Sequence, residues 1–195
     1  MPFRCPNCQL PKEHCMCEKI LKRVKTPVIP QVYLAGAIER AKDATSWRND
    51  LTVFLKDYKI NIFDPCAEEN SKLRGLHFRR LPDGISHWHQ FKNSDNPALR
   101  KRFSNYMERI QVLDLEAVRN STMVIVRWDE ATQLGGGTHH ELVYSYMHHI
   151  PIYAIEEYPM PAWHVHLIDK SGGVIFKTMD ELKDYLSDEL EKKDE

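Results

Sequence analysis

The sequence predicts an α/β fold in which a parallel β-sheet has helices on both faces. Two observations predict it: short apolar runs of strand length recur along the chain, and stretches with the period of amphipathic helices separate them. Strands that alternate with helices form parallel pairs, because each helix returns the chain to the same edge of the sheet. We therefore expect one such domain, preceded by a small cysteine-rich element.

Composition narrows the class of protein. The 195 residues include 27 Lys and Arg against 28 Asp and Glu, a formal net charge of -1, and 42% are hydrophobic. These values fit a folded domain and disfavour a basic nucleic-acid-binding arm or a disordered chain. No run approaches the roughly 20 apolar residues of a membrane helix, and the first residues lack the apolar core of a signal peptide. We expect a soluble, cytoplasmic protein.

The cysteine-rich element is the first feature along the chain. Four of the five cysteines fall within thirteen residues: Cys5, Cys8, Cys15 and Cys17. In a reducing compartment, such clustered thiolates indicate tetrahedral, structural zinc rather than disulfides. The alternatives are His14 in place of one cysteine, or an unstructured, reduced segment. We assign residues 1–25 to this zinc-binding element and residues 31–195 to the main domain.

The main domain opens with a strand, a helix and a second strand. The run 32–35 predicts a buried strand, Ser46 precedes a helix, and the run 60–63 predicts the next strand. Residues 66–110 show no strand pattern and are rich in His, Arg, Asn and Pro, so we interpret them as an insertion or lid. A helix inside it is expected to begin at position 97 or 105 and to end at position 112.

Alternation then resumes to the end of the chain. A short helix is predicted at 114–121, with Asp114 as its N-cap. Three further apolar runs have strand length: 123–126, 151–155 and 174–176. Helices follow the glycine-rich turn 135–137 and Thr178, where Glu181 completes a capping-box pattern.

The residues that directly follow the apolar runs are the candidate ligand-binding residues, because ligands of open parallel sheets bind outside the carboxyl ends of the strands. They are Gly36, Asp64, Trp128, Asp129 and the glycines 135–137. Three glycines before a helix let the backbone approach a ligand and present N–H groups to an anion. No lysine follows them and their spacing is not G-x-G-x-x-G, so nucleoside triphosphate hydrolysis and dinucleotide redox chemistry are disfavoured.

Glu141 has two interpretations. Thr138 and Glu141 form a capping-box pattern, which would satisfy the first N–H groups of the helix. A capping box does not need three preceding glycines, however, and a carboxylate in the first turn is kept ionised by the helix dipole. An ionised carboxylate is the state that a carboxylate nucleophile requires.

Six short motifs occur in order: Tyr-Leu-Ala-Gly at 33–36, Trp-Arg at 47–48, Phe-Asp-Pro at 63–65, Asp-Leu-x-x-Val at 114–118 before a strand, Gly-Thr-x-x-Glu-Leu at 137–142 and Ile-Pro-Ile at 150–152. Together they resemble the nucleoside 2-deoxyribosyltransferase family over roughly residues 31–156, apart from much of 66–110. The resemblance implies a Rossmann-like (flavodoxin-like) fold. It also implies cleavage or transfer at an N-glycosidic bond of a (deoxy)nucleoside or a nucleoside 5′-monophosphate. The cysteine segment separately resembles that of DTW-domain RNA-modifying proteins.

The resemblance implies roles for individual residues. Glu141 matches the family's nucleophile, which attacks the anomeric carbon and forms a glycosyl-enzyme intermediate. Asp114 matches the aspartate beside the nucleobase, a candidate for protonating the leaving base. Such cleavage passes through an oxocarbenium-like state that a carboxylate stabilises. The other residues expected to bind substrate are Tyr33, Ala35, Gly36, Asp64, Asp129, Gly137, Thr138 and His139.

The chain departs from the family at one position. Transferases have an aspartate six residues before the glutamate, and this chain has Gly135 there. The difference removes a negative charge and leaves room for a phosphate, for which Arg40 and Arg48 are candidate ligands. We therefore favour hydrolysis of a 5′-monophosphate.

Two alternative functions stay open. An NAD-type nucleotide glycohydrolase would use the same carboxylate chemistry. A non-catalytic module would bind a nucleotide or a nucleic-acid-associated partner through the cysteines and the basic, aromatic insertion, although the neutral net charge disfavours nucleic acid.

Two further expectations concern assembly and the histidines. The family commonly forms homo-oligomers whose subunits complete each other's sites, so an oligomer is expected. The histidine pairs at 87/89 and 164/166 are interpreted as extended segments with both rings on one face, and a second metal site there is disfavoured.

Overall fold

The computed structural model describes residues 30–38, 41–67 and 92–192. The strands are β1 (Gln31–Gly36), β2 (Asn61–Phe63), β3 (Met123–Trp128), β4 (Ile152–Glu156) and β5 (Val174–Phe176). The helices are α1 (Ser46–Lys56), α2 (Pro97–Arg119), α3 (Glu130–Leu134), α4 (Gly136–Met147), α5 (Ala162–Ser171) and α6 (Met179–Glu191). The four cysteines predicted to bind zinc, Arg40 and most of the insertion lie outside the described residues.

The strands of the described residues form one parallel sheet in the order β2-β1-β3-β4-β5. Leu34 of β1 is paired with Ile125 of β3, and Ile125 is paired with Tyr153 of β4. This is the strand order of a flavodoxin-like, doubly wound sheet, so the predicted α/β fold is confirmed.

Each face of the sheet has its own hydrophobic core, because successive strand residues point to opposite faces. Tyr33 lies on the face that α2, α4 and α5 cover, where Leu142 of α4 is fully buried. Leu34 lies on the other face with Leu51 of α1 and Leu182 of α6. The predicted arrangement of helices on both faces is confirmed.

One long helix, α2, replaces the two short helices that the sequence predicted. It spans 23 residues from Pro97, and the side chain of its N-cap Asn96 accepts a hydrogen bond from Ala98 N. The prediction that Asp114 is an N-cap is therefore wrong, because Asp114 lies inside the helix. The helix continues through this point because no Gly or Pro interrupts it and Ile110 and Val118 carry one buried face across it.

The two capping-box patterns have opposite outcomes. The pattern at Thr178 is confirmed: its hydroxyl accepts a hydrogen bond from Glu181 N at 3.2 Å, although the Glu181 carboxylate accepts from Lys177 N. The capping box predicted at Thr138 is wrong, because α4 begins at Gly136 and buries Thr138 inside the helix.

Within the described residues, no helix is long and apolar enough to cross a membrane.

Candidate active site

The candidate site is the crevice outside the carboxyl ends of β1 and β3. Strand order reverses between these neighbours, since β2 lies on the outer side of β1 while β4 and β5 continue beyond β3. Loops after two such strands diverge to opposite faces of the sheet and leave a crevice where ligands of doubly wound sheets bind. Gly36 ends β1, and Trp128 ends β3.

Tyr33 and Glu141 form the central contact of the site. Tyr33 is fully buried, and its hydroxyl donates a hydrogen bond to Glu141 Oε1 at 2.7 Å. Glu141 lies in the second turn of α4, not in the first turn as the sequence suggested, and is half-buried. The neighbouring positions Leu142 and Ser145 are buried, which turns this flank of α4 toward β1. The α4 helix thus holds a carboxylate against the face of the sheet.

Asp114, when ionised, contributes negative charge to the same region. Burial raises the pKa of Tyr33 well above its ordinary value, and the charges of Glu141 and then Asp114 raise it further. Asp114 itself is half-buried in α2. The charges of the two predicted catalytic carboxylates therefore both raise the pKa of the Tyr33 hydroxyl, which stays protonated as a hydrogen-bond donor.

The rest of the first strand forms the floor of the crevice. Ala35 is buried on the same face of the sheet as Tyr33 and lies two residues nearer the end of β1. Phe63 of β2 stacks on the Tyr33 ring, with centroids 5.5 Å apart. Gly36 has φ +152°, and a Cβ there would lie 3.0 Å from Trp47 Cζ2, so the turn requires glycine.

The start of α4 is open. Its N-cap is Gly135, and no side chain caps the helix. A Cβ added at Gly136 or Gly137 would meet no atom within 4 Å, and both residues are exposed. Space and first-turn N–H groups are therefore available beside the crevice, as a ligand with negative charge would need.

Arg48 and Asp64, both predicted to bind substrate, contact each other. Arg48 Nε lies 3.2 Å from Asp64 Oδ1, an ion-pair distance without hydrogen-bond alignment. Nη2 of the same guanidinium donates to Gly36 O at 3.0 Å, and Nη1 donates to Ala44 O. The side chain of Arg48 is fully buried beneath the end of β1.

Asp129 acts as the N-cap of α3. Its Oδ1 accepts a hydrogen bond from Thr132 N at 2.7 Å and lies 2.8 Å from Thr132 Oγ1. That hydroxyl accepts a hydrogen bond from Ala37 N, which ties the chain after β1 to the chain after β3. Sequence reasoning missed Thr132, although the spacing Asp-x-x-Thr after a strand is a helix-start signal.

His139 lies in a cluster of three rings, which we call the ring cluster: Trp128, His139 and His164. The ring centroids are 4.6 to 5.1 Å apart. His139 and Glu141 point about 160° apart around α4, since each residue turns the helix by about 100°. His139 thus packs toward α5 while Glu141 faces β1.

The prediction of an extended segment at 164–166 is wrong, because both histidines lie in helix α5. Positions two apart on a helix do not share a face, so His164 is buried while His166 is exposed. Among residues 30–38, 41–67 and 92–192, no group of three or more His, Cys, Asp or Glu side chains is arranged to hold a metal ion.

Comparison with known proteins gives low similarities. No protein-family model matches the chain, and no curated protein matches it. A solved CMP N-glycosidase from Clostridium botulinum is similar at 13% identity and a TM-score of 0.46, covering 80% of this chain and 98% of that one. A 2-deoxyribosyltransferase from Bacillus psychrosaccharolyticus is similar at 17% identity and a TM-score of 0.45, covering 78% and 90%. At these values the similarities carry no argument about the activity of this chain.

Proposed function

We propose that the protein cleaves the N-glycosidic bond of a nucleoside 5′-monophosphate, or of a (deoxy)nucleoside, with the Glu141 carboxylate as nucleophile. The observation that carries the proposal is the hydrogen bond of 2.7 Å from the buried Tyr33 hydroxyl to Glu141 at the crevice between β1 and β3. A nucleophilic carboxylate must be held in one orientation, and a buried donor supplies that constraint.

The first step forms a covalent bond between a Glu141 oxygen and C1′ of the sugar. The C1′–N bond breaks as this bond forms, and its electron pair leaves with the base. Asp114, in its protonated form, donates a proton to the departing base. Negative charge at Glu141 stabilises the oxocarbenium-like transition state, as in retaining glycosidases.

The second step is hydrolysis. Water attacks C1′, the ester bond to Glu141 breaks, and the carboxylate is regenerated. Asp114, now ionised, accepts the proton that the water loses. The cycle ends with free base, free sugar or sugar phosphate, and both carboxyl groups in their starting states.

The preference for a 5′-monophosphate depends on the start of α4. A phosphate there would accept hydrogen bonds from backbone N–H groups at an open, uncapped helix start. Gly135 replaces the aspartate of the transferases, so no carboxylate at that position repels the phosphate.

The test is a chromatographic screen of the purified protein on nucleosides, deoxynucleosides, their 5′-monophosphates and NAD. We expect free base from the wild type and none from Glu141→Gln. Glu130→Gln, the same substitution at an exposed position of the neighbouring helix α3, is the matched control and should retain activity. Base release that Glu141→Gln leaves unchanged would refute the nucleophile.

Two other outcomes identify the alternatives. Release of nicotinamide from NAD without turnover of monophosphates would indicate an NAD-type glycohydrolase. No release from any compound, even with an acceptor base added, together with tight nucleotide binding that Glu141→Gln does not alter, would indicate a binding module. Glu141→Ala should abolish base release while lowering the free energy of unfolding by about 1–3 kcal/mol, because the buried Tyr33 hydroxyl loses its acceptor.

A further inference from the structure

Arg48 is an arginine with no exposed surface. Its side chain has 0% relative exposure, although arginine is among the residue types least often fully buried. A buried guanidinium is costly unless protein groups replace its water, so its contacts indicate what it is for.

The contacts of Arg48 join three segments that border the crevice. The carbonyl of Gly36 ends β1, the carbonyl of Ala44 precedes α1, and the carboxylate of Asp64 follows β2. All three accept from, or pair with, the one guanidinium. The planar fork of arginine suits several acceptors at fixed angles, which a lysine cannot match.

The position of Gly36 depends on the same side chains. Arg48 Cζ lies 4.5 Å from the centre of the Trp47 ring, and a Cβ at Gly36 would lie 3.0 Å from that ring and 3.5 Å from Arg48 Nη2. The end of β1 therefore rests directly on Trp47 and Arg48. Tyr33 is three residues earlier in the same strand.

The charge of Arg48 also reaches Tyr33. It lowers the pKa of Tyr33, opposing the larger effects of burial and of the Glu141 and Asp114 charges. It therefore offsets part of the negative charge that the two carboxylates place on one side of the sheet.

We propose that Arg48 is a positioning residue: its buried guanidinium holds the end of β1 against the end of β2, and so fixes Tyr33 and, through Tyr33, the Glu141 carboxylate. This inference rests on the proposed function. It differs from the expectation that Arg48 binds a substrate phosphate, because a phosphate would have to displace three protein acceptors from a site closed to water. The sequence predicts that Arg48 binds phosphate, whereas the contacts of its guanidinium favour a role in positioning the end of β1.

The test separates positioning from phosphate binding by measuring kcat and KM on a nucleoside and on its 5′-monophosphate. Arg48→Lys keeps the charge but loses the fork, so we expect kcat to fall on the order of 10²-fold on both substrates, with KM little changed. Asp64→Asn retains the bonds to Gly36 and Ala44, and should lower kcat less. Arg119→Lys, the same substitution on the exposed last turn of α2, is the matched control and should leave kcat unchanged.

Three results would overturn the proposal. A rise in KM confined to the monophosphate, with kcat unchanged, would make Arg48 a phosphate ligand. Unchanged kinetics in both Arg48→Lys and Asp64→Asn would remove any role in the site. If Arg48→Lys does not fold, kcat of Asp64→Asn is compared with that of the wild type instead. An unchanged kcat in Asp64→Asn would then refute the positioning role of Arg48.

Failure of the proposed function is a separate outcome. If the wild type releases no base, the proposed reaction is wrong, and the structural part of the inference is tested by thermal unfolding of Arg48→Lys, Asp64→Asn and the double variant. Arg48 and Asp64 are in contact, so their effects on the midpoint should not add. Additive effects would show that the pair does not hold the two strand ends together.

Discussion

Tyr33→Phe is the substitution that most directly tests how Tyr33 orients the proposed nucleophile. It removes one hydroxyl from a fully buried ring and leaves the stacking on Phe63 in place. The lost hydrogen bond joins a buried donor to a carboxylate oxygen at 2.7 Å. Hydrogen bonds to charged groups contribute about 1.5–3 kcal/mol, and the part that orients the carboxylate for attack is lost from the transition state, so kcat should fall by up to roughly 10- to 150-fold.

The same substitution should change the pH profile. A hydrogen bond to the ionised carboxylate favours ionisation, so its loss raises the pKa of Glu141. Activity that needs the carboxylate is present above that pKa and is lost as pH falls through it. The acidic limb of the rate profile should therefore move to higher pH in Tyr33→Phe.

Base release measured by chromatography across a pH series is the assay. Tyr153→Phe is the matched control, because Tyr153 is a strand tyrosine of the same sheet that packs against Phe176 and Tyr185 on the opposite face. It should change stability but not the acidic limb. A Tyr33→Phe protein with wild-type kcat and an unmoved acidic limb would refute the reasoning.

Three further predictions concern stability and metal content. Burial, and then the charge of His139, lower the pKa of His164 below its ordinary 6.5, so the unfolded state binds the proton more tightly than the folded state. The thermal midpoint should therefore fall as pH drops below 6.5. The fall should be smaller in His164→Phe. The groups that face His164 in the ring cluster are His139 from α4 and the non-titrating Trp128 from β3. Gly173→Ala should lower the free energy of unfolding, measured in urea, by more than about 3 kcal/mol, because its Cβ would lie 1.7 Å from Ile152 O. Gly172→Ala, at φ +78° in open space, should lower it by only about 1–2 kcal/mol. Equal losses in the two variants would contradict this prediction. Four thiolates in one tetrahedral site bind one zinc ion, so elemental analysis of the intact chain should find about one zinc per chain. The double variant Cys5→Ser, Cys8→Ser should lose this zinc. A metal-free wild type would contradict the zinc prediction.

The sequence by itself determined the class of fold and the edge of the sheet where the candidate site lies. Strands buried on both faces must be apolar throughout, so the runs near 32–35, 123–126 and 151–155 could be recognised without knowledge of their neighbours. The residues after these runs necessarily lie at one edge, since parallel strands point the same way. Local signals failed where they were ambiguous: Asp114 resembles an N-cap, but the apolar face of α2 continues past it.

Only the tertiary structure decided which side chains meet at that edge. Tyr33 and Glu141 are 108 residues apart, and their contact depends on strand order and on the face that α4 covers. The sequence predicts Arg48 as a phosphate ligand, yet the packing of α1 against β1 and β2 buries it on Asp64. His139 turns to His164 in α5 instead of toward Glu141. A periodic pattern shows which residues of one element share a face, but it contains no information on which distant element will cover that face, because that choice is made by the packing of the whole chain.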